Sequence, residues 1–386
     1  MVSSQKLNIK LSIALLGTRG LPAAYGGFET FAHELATRLT ERGHEVTVFQ
    51  RHSWRLRLRA RSEAVLDGIL RRSTATVMHK YAETPLSSLS SFLDLAFGRK
   101  RFDVALLCNA ANSPFAFLAG LRSVPVAINV DGVERKRSKW NGAGKLWYRL
   151  GEQTSVWFAA AIIADAQVIA EYYRENFKLE PTVITYGAHA MPIAAGPVLQ
   201  RFNLSAARYI LYVSRFEPEN NALGVVQAYV QAKASGALDG ISLVMVGDAP
   251  YADAYKGLVR AAADESVVFT GFQFGEAYRE LRSNCLCYVQ ATEVGGTHPA
   301  LVEAMAYGNP IIANEVPEHR EVLGDTGIYY ARNDFTALAI QLTKVANDRA
   351  MRENLSALAV QRARALFSWE AVTDKYEELL IKLCNR

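Results

Sequence analysis

The stretch 11–17, Leu-Ser-Ile-Ala-Leu-Leu-Gly, limits the fold more than any other. It is a short apolar run closed by glycine, the pattern of a strand covered on both faces. A loop over 18–27 follows. Phe28, Phe31, Ala32, Leu35 and Leu39 then recur at helical spacing up to Gly43, and a second apolar run starts at Val46. Strand, loop, helix and strand in that order open a doubly wound α/β sheet. Further runs of the same kind fall at 102–107, 124–130, 161–166 and 182–186, and again at 210–214, 242–247, 267–271, 285–290 and 310–313. Between the two sets, 187–205 holds Gly187, Pro192, Gly196 and Pro197 with little periodicity and reads as a linker. A chain of 386 residues fits two domains. The expected division is 1–190, 191–366 and a final helix over 367–386, with Trp369, Val372 and Tyr376 on one face.

Charge is split between these halves. Residues 1–190 carry 25 Lys and Arg against 16 Asp and Glu, whereas 191–386 carry 18 against 22. An anionic surface or substrate beside the first half is therefore expected. The densest basic stretch, 51–72, holds seven arginines. Trp54, Leu58, Val65, Leu66, Ile69 and Leu70 share one helical face there, which suits an anionic membrane surface. The alternation over 55–59 equally suits an exposed strand. No aromatic platform is interleaved with the arginines, so nucleic acid is not an expected partner. No apolar run reaches the roughly 20 residues of a membrane-spanning helix. No secretory signal is read at the N-terminus. The four cysteines, 108, 285, 287 and 384, show neither disulfide nor zinc spacing and read as reduced cytoplasmic thiols.

Two glycine-rich turns lead into helices. Gly26 and Gly27 open the first helix, and Gly295, Gly296 and Thr297 precede Pro299, which suits a first helical turn. Such turns let a ligand approach the backbone, and the helix N-terminus favours phosphate. Either turn also reads simply as chain reversal. Neither is a G-x-G-x-x-G fingerprint, and no acidic residue ends the second strand, so a nicotinamide site is not expected. Polar residues follow the apolar runs at the edge where open α/β sheets bind ligands: Asn109 to Ser113, Asp131 to Arg137, and Arg215 to Asn221. Asp131 and Glu134 are placed to handle a substrate, or to cap and solvate a helix. Arg215 is placed to grip a phosphate bidentately, or to pair with Glu217 or Glu219.

Taken together these stretches resemble a family 4 glycosyltransferase of the GT-B fold over nearly the whole chain. The resemblance is carried by Gly26-Gly27-Phe28-Glu29, Gly43-His44-Glu45-Val46, Arg215 with Pro218-Glu219, Val246-Gly247, Thr270-Gly271, Glu303-Ala304-Met305-Ala306 with Gly308 and Pro310, and Phe367-Ser368-Trp369-Glu370. A narrower likeness is to bacterial rhamnosyltransferases acting on polysaccharide precursors. It rests on Gly17-Thr18-Arg19-Gly20, Tyr25 to Thr30, Asn109 to Pro114, Asn129-Val130-Asp131-Gly132, Glu217 to Asn221 and Gly295-Gly296-Thr297-His298-Pro299.

The resemblance implies two Rossmann-like domains facing across a cleft, with the C-terminal helix crossing back to the first. It implies a retaining transfer, L-rhamnose from dTDP-rhamnose being the best match, from a nucleotide sugar that is a substrate and not a cofactor. The acceptor it implies is a lipid-linked saccharide at the inner membrane face. Arg215 and the N–H groups at Gly26-Gly27 and Gly296-Thr297 would hold the diphosphate, and Glu303 would accept hydrogen bonds from the ribose. Asp131 or Glu134 would orient or deprotonate the acceptor hydroxyl. No Asp-x-Asp pair presents itself, so no metal is expected. Two positions depart from the family pattern. Gly295 stands where its members usually carry a first glutamate, and Asn220 where they carry a phosphate-binding lysine. A GT-B-fold sugar-nucleotide epimerase and a non-catalytic sugar-nucleotide binder are the rival readings.

Overall fold

The computed structural model describes residues 9–22, 27–53, 64–77, 79, 82–136, 142–249 and 252–385. The chain divides into two compact units. The first comprises Met1–Asp131, Trp140–Thr185 and Trp369–Arg386; the second comprises Gly132–Lys139 and Tyr186–Ser368.

In the first unit the run at 11–17 becomes β1 (Ser12–Leu16), at the centre of the sheet. It pairs in parallel with β2 (Glu45–Ser53) on one side and β5 (Val104–Cys108) on the other, Ile13 facing both Val46 and Val104. Ile13, Ala14, Leu15 and Leu16 are all but inaccessible to solvent, which is why the run needs no polar alternation. With β3 (Ala64–Leu66), β4 (Ile69–Thr76), β6 (Val126–Asn129), β7 (Ala161–Ala164) and β8 (Thr182–Val183), the described order is β3-β4-β2-β1-β5-β6-β7-β8. Strand addition reverses direction between β1 and β5, and Gly17 lies at that point. A side chain there would sit 2.2 Å from the Cys108 carbonyl oxygen, and φ is +91°.

The basic stretch takes a different form from the amphipathic helix. Its two ends are strands: β2 runs to Ser53, and β3 and β4 form an antiparallel hairpin turning at Asp67-Gly68, both at positive φ. Residues 54–63, which include the alternating arginines, lie outside the described residues. The described arginines are tied to the protein itself. Arg51 donates to Glu83 at 3.0 Å, Arg71 to the Leu21 carbonyl at 3.1 Å and Arg72 to Asp94 at 2.6 Å.

α1 (Gly27–Glu41) buries Phe31, Ala32, Leu35, Ala36 and Leu39, the predicted face. The C-terminal helix, α13 (Trp369–Cys384), packs on it: Tyr376 and Trp369 lie 5.2 and 6.4 Å from the Phe31 ring. Arg42 binds Glu370, Asp374 and Glu377, and His44 Nε2 lies 2.9 Å from Glu377. The Gly43-His44-Glu45 stretch therefore anchors the returning helix. α2 (Glu83–Phe97), α3 (Gly142–Phe158) and α4 (Gln167–Phe177) complete the first unit's α-helices among the described residues.

The stretch read as linker contains α5 (Pro197–Arg201). Glu280 accepts from the N–H groups of Gly196 and Leu199 at 2.9 and 2.8 Å and so caps it. The second sheet, all parallel, orders β9 (Tyr209–Val213), β10 (Ser242–Val246), β11 (Val267–Gly271), β12 (Cys287–Gln290), β13 (Ile311–Asn314) and β14 (Ile328–Tyr330) as β11-β10-β9-β12-β13-β14. The described helices around it are α6 (Ala222–Ala234), α7 (Asp253–Ala261), α8 (Gly275–Ser283), α9 (Pro299–Ala306), α10 (Pro317–Leu323), α11 (Phe335–Asn347) and α12 (Arg349–Leu366).

Candidate functional site

In the second sheet the direction of strand addition reverses between β9 and β12, so the loops after these strands share one edge. They are joined directly. The Glu293 N–H donates to the Glu219 carbonyl at 2.9 Å, and the Asn221 amide to the Ala291 carbonyl at 2.9 Å. Gly247, after β10, closes against the same loop: at φ +125° a side chain would meet the Ser214 carbonyl oxygen at 1.9 Å. Arg215 and the 295–299 turn thus lie on two loops bonded to each other.

Arg215 is 36% exposed, and its nearest described carboxylate, Glu217, is 3.7 Å away. That long, half-solvated pair leaves most of the guanidinium fork open to an anion. Asn220 is buried and faces inward. Its amide donates to the Arg215 carbonyl at 2.7 Å, and Tyr212 donates to the Asn220 carbonyl at 2.7 Å. It fixes the loop that presents Arg215.

α9 starts after the glycine turn with His298 at the N-cap and no side chain capping it. Its positive end is therefore available to an anion. Gly295 is closely packed on both sides. A side chain there would strike the His298 ring at 2.5 Å, and one on Gly132 would lie 2.9 Å from the Gly295 backbone. The 132–139 segment that carries Glu134 clusters with this second unit.

Glu303, on α9, is held from behind. Tyr278 on α8 donates to its Oε2 at 2.7 Å, and Arg282 Nε donates to the Tyr278 oxygen at 3.0 Å. The Arg282 guanidinium is fully buried and lies 4.9 Å from both the Tyr278 and Tyr288 ring centroids. Burial opposes its charge, yet Tyr278 and Glu303 hold its pKa above the ordinary value. Burial raises the Tyr278 pKa as well, so the phenol stays protonated and keeps donating. Glu303 Oε1 has no hydrogen-bond donor among the described residues, and the side chain is 23% exposed. One carboxylate oxygen is thus fixed and the other left open. Tyr278 and Arg282 were not singled out from the sequence, where they read as ordinary residues of an amphipathic helix.

In the first unit, Gly27 is the first residue of α1, while Gly26 lies outside the described residues. Glu29, buried in the first turn, accepts from the Arg19 N–H at 2.9 Å. Asp131 follows β6 at φ +57°, its N–H bonded to the Asn129 side chain at 3.0 Å. Glu134 opens a one-turn 3-10 helix, Glu134–Lys136, and is nearly buried.

Residues 25–188 match the family model described as Glycosyltransferase Family 4, and residues 200–362 match Glycosyl transferases group 1. The chain is a family 4 glycosyltransferase of the GT-B fold. A curated relative, O-antigen chain mannosyltransferase B of Escherichia coli, is 27% identical over 184 residues, 47% of this chain and 48% of the relative. The chain thus matches about half the length of that relative. Among solved structures, sucrose-phosphate synthase of Thermosynechococcus elongatus superposes with a TM-score of 0.80 at 20% identity, covering 97% of this chain and 99% of that one. HepE of Anabaena in complex with UDP-glucose gives 0.75 at 16%, covering 96% and 100%. The catalytic domain of starch synthase IV of Arabidopsis thaliana, bound to ADP and acarbose, gives 0.71 at 13%, covering 98% and 100%.

At Gly295, where the family pattern has a glutamate, the His298 ring occupies the room that a side chain would need. The Glu293 carboxylate lies 3.5 Å from the exposed Arg332. Behind His298, 5.3 Å between ring centroids, His319 is fully buried. Its Nδ1 is 2.8 Å from the Asn314 carbonyl and its Nε2 3.3 Å from the Gln290 amide nitrogen. A neutral ring protonated on Nδ1 satisfies both contacts. Burial lowers its pKa to about 4, against the weaker opposing pull of the Asn314 carbonyl. The folded value lies below the unfolded one, so the unfolded chain binds the extra proton between them. Stability is then fully present above about pH 6.5 and is lost as pH falls toward 4, by on the order of 3 kcal/mol. Thermal unfolding from pH 7 to pH 4 should show a smaller loss in His319→Gln than in the parent. Equal losses would place the acid sensitivity elsewhere.

Proposed function

We propose that this glycosyltransferase moves a sugar from a nucleoside-diphosphate donor to a saccharide acceptor, with retention and without a metal, in building a bacterial surface polysaccharide. The observation that supports this reading is the pair of hydrogen-bonded loops that carry Arg215 on one side and the glycine turn leading into α9 on the other. Breaking the anomeric bond puts charge on the leaving diphosphate, and a fixed guanidinium with oriented N–H groups stabilises charge as it develops. Gly296 and Thr297 supply such N–H groups in the second unit, and Gly27 opens a helix of the same kind in the first. Glu303 Oε1 accepts from the ribose hydroxyls. Asp131 or Glu134 orients the acceptor hydroxyl and takes its proton.

The donor best matched by the sequence is dTDP-L-rhamnose, and the acceptor is a lipid-linked saccharide. The O-antigen mannosyltransferase relative favours a second donor, GDP-mannose, and supports a polysaccharide product. Thermal-shift measurements with dTDP-rhamnose, GDP-mannose and UDP-glucose separate these. A ligand that binds only the folded state at about 100 times its Kd adds about 2.7 kcal/mol, a shift of several degrees. The largest shift is expected with dTDP-rhamnose. A shift with GDP-mannose alone replaces rhamnose by mannose, and no shift with any of them overturns the donor site. Donor alone converted to an epimer would indicate isomerisation in place of transfer.

A further inference from the structure

α3 of the first unit is turned inside out. Its buried side is small and polar: Gly144, Gly151, Glu152, Thr154 and Ser155. Gly151 lets the helix lie against the 3-10 helix Ala110–Arg122, where an added side chain would come within 2.6 Å of the Ala110 carbonyl oxygen. Ser113 of that element binds the Gly151 carbonyl and Thr154, each at 2.7 Å. Trp147 also turns inward, its indole N–H donating to the Ala111 carbonyl at 3.0 Å, but three large apolar side chains face away. Leu146 is 68% exposed, Leu150 42% and Trp157 63%, and their spacing of four and seven puts them on one helical face. The face continues onto the 3-10 helix through Phe117, 51% exposed and 5.8 Å from the Phe158 ring, itself beside Trp157.

The folding of this unit does not account for such a face. A surface helix ordinarily turns its large apolar residues to the core, because that burial stabilises it. For Leu146, Leu150 and Trp157 the arrangement is reversed, over about three turns. The charges point to the occupant. Lys145 and Arg149 flank the apolar residues and are exposed. The one acidic residue of α3, Glu152, is buried and accepts from Tyr172 at 2.8 Å.

We propose that the α3 face is a docking surface for an anionic lipid bilayer, with Leu146, Leu150 and Trp157 entering the headgroup boundary and Lys145 and Arg149 meeting lipid phosphates. An in-plane helix with an apolar face and cationic flanks has this mode of binding, and tryptophan favours the membrane interface. No described helix is long and apolar enough to cross a membrane, so the contact is superficial. A second copy is a poorer occupant, because a two-fold contact would set the cations of α3 near their own kind. The surface is independent of the donor assignment.

The test is sedimentation of the full-length protein with vesicles of phosphatidylcholine, alone or with 30 mol% phosphatidylglycerol, at low and high salt. The parent is expected to bind the anionic vesicles at least tenfold more than the neutral ones, and less at high salt. Each cation contributes roughly a factor of five, so Lys145→Ser with Arg149→Ser should weaken binding about 25-fold. Leu146→Ser with Trp157→Ser should weaken it at least tenfold at both salt concentrations. All four positions are exposed, so circular dichroism and thermal unfolding should match the parent. Binding by either variant at the parent level overturns the proposal, as does failure of the parent to sediment with anionic vesicles. A parent dimer that Trp157→Ser converts to monomer would assign the face to a second copy instead.

Discussion

Replacing Arg215 by alanine should lower kcat by about 10²–10³, with a much smaller change in the thermal stability of the protein. Removing one preorganised group that stabilises developing charge typically costs that much, roughly 2.7–4 kcal/mol of transition-state stabilisation. The expectation rests on what the guanidinium does in the folded chain. Its nearest described carboxylate is 3.7 Å away and it is 36% exposed, so it contributes little to folding and is open to an anion. Lysine at 215 should recover only part of the loss, since a point charge lacks the bidentate fork. Steady-state kinetics with saturating donor checks this. Parent-level turnover in Arg215→Ala would remove the residue from the phosphate site. A parallel loss of melting temperature would instead assign it to the loop's structure.

The buried strands were legible because a parallel strand covered on both faces leaves a continuous apolar run in one place. β1, β5, β6, β9 and β10 all read this way. β4 did not, since Arg71 and Arg72 break the run, and their partners, the Leu21 carbonyl and Asp94, are distant in sequence. β14, Ile328–Tyr330, is three residues long and too short to show a period. The face of α13 was visible at 3.6-residue spacing, and Phe31 of α1 now shows what Tyr376 and Trp369 pack against.

The site was legible to the extent that it is made of backbone. Glycines before a helix, and a cation just past a strand, announce themselves in order along the chain. What joins them does not. The bond from Glu293 to Glu219 spans two loops, and the inward turn of Asn220 depends on Tyr212 beneath it. A residue type in a ligand-facing loop does not reveal which way its amide points. Gly295 shows the converse case. As a departure from the family pattern it reads as a missing function, whereas the His298 ring makes it the residue that fits the space.

The largest structural effect near the site should come from Tyr278→Phe. The phenol oxygen accepts from Arg282 and its proton goes to Glu303, so one hydroxyl serves a fully buried cation and a half-buried carboxylate. Arg282 Nη1 already lacks a hydrogen-bond partner among the described residues. Without the hydroxyl, the buried guanidinium has Glu303 as its nearest described anionic partner, 3.8 Å away. Leaving a buried charge short of partners costs about 2–4 kcal/mol, visible as a lowered melting temperature. The carboxylate is then drawn inward to Arg282, and Oε1 loses its outward aim. Donor KM should rise several-fold while kcat changes little, because ribose is held equally in the ground and transition states. Pairing Tyr278→Phe with Arg282→Met separates the two effects. Replacing a buried ionic group by an apolar one of similar volume is often neutral or stabilising, so the melting temperature should return. The raised KM should persist, since nothing then orients Glu303. A double variant that regains both stability and the parent KM would show that the carboxylate needs no support from behind, and that Arg282 and Tyr278 serve folding alone.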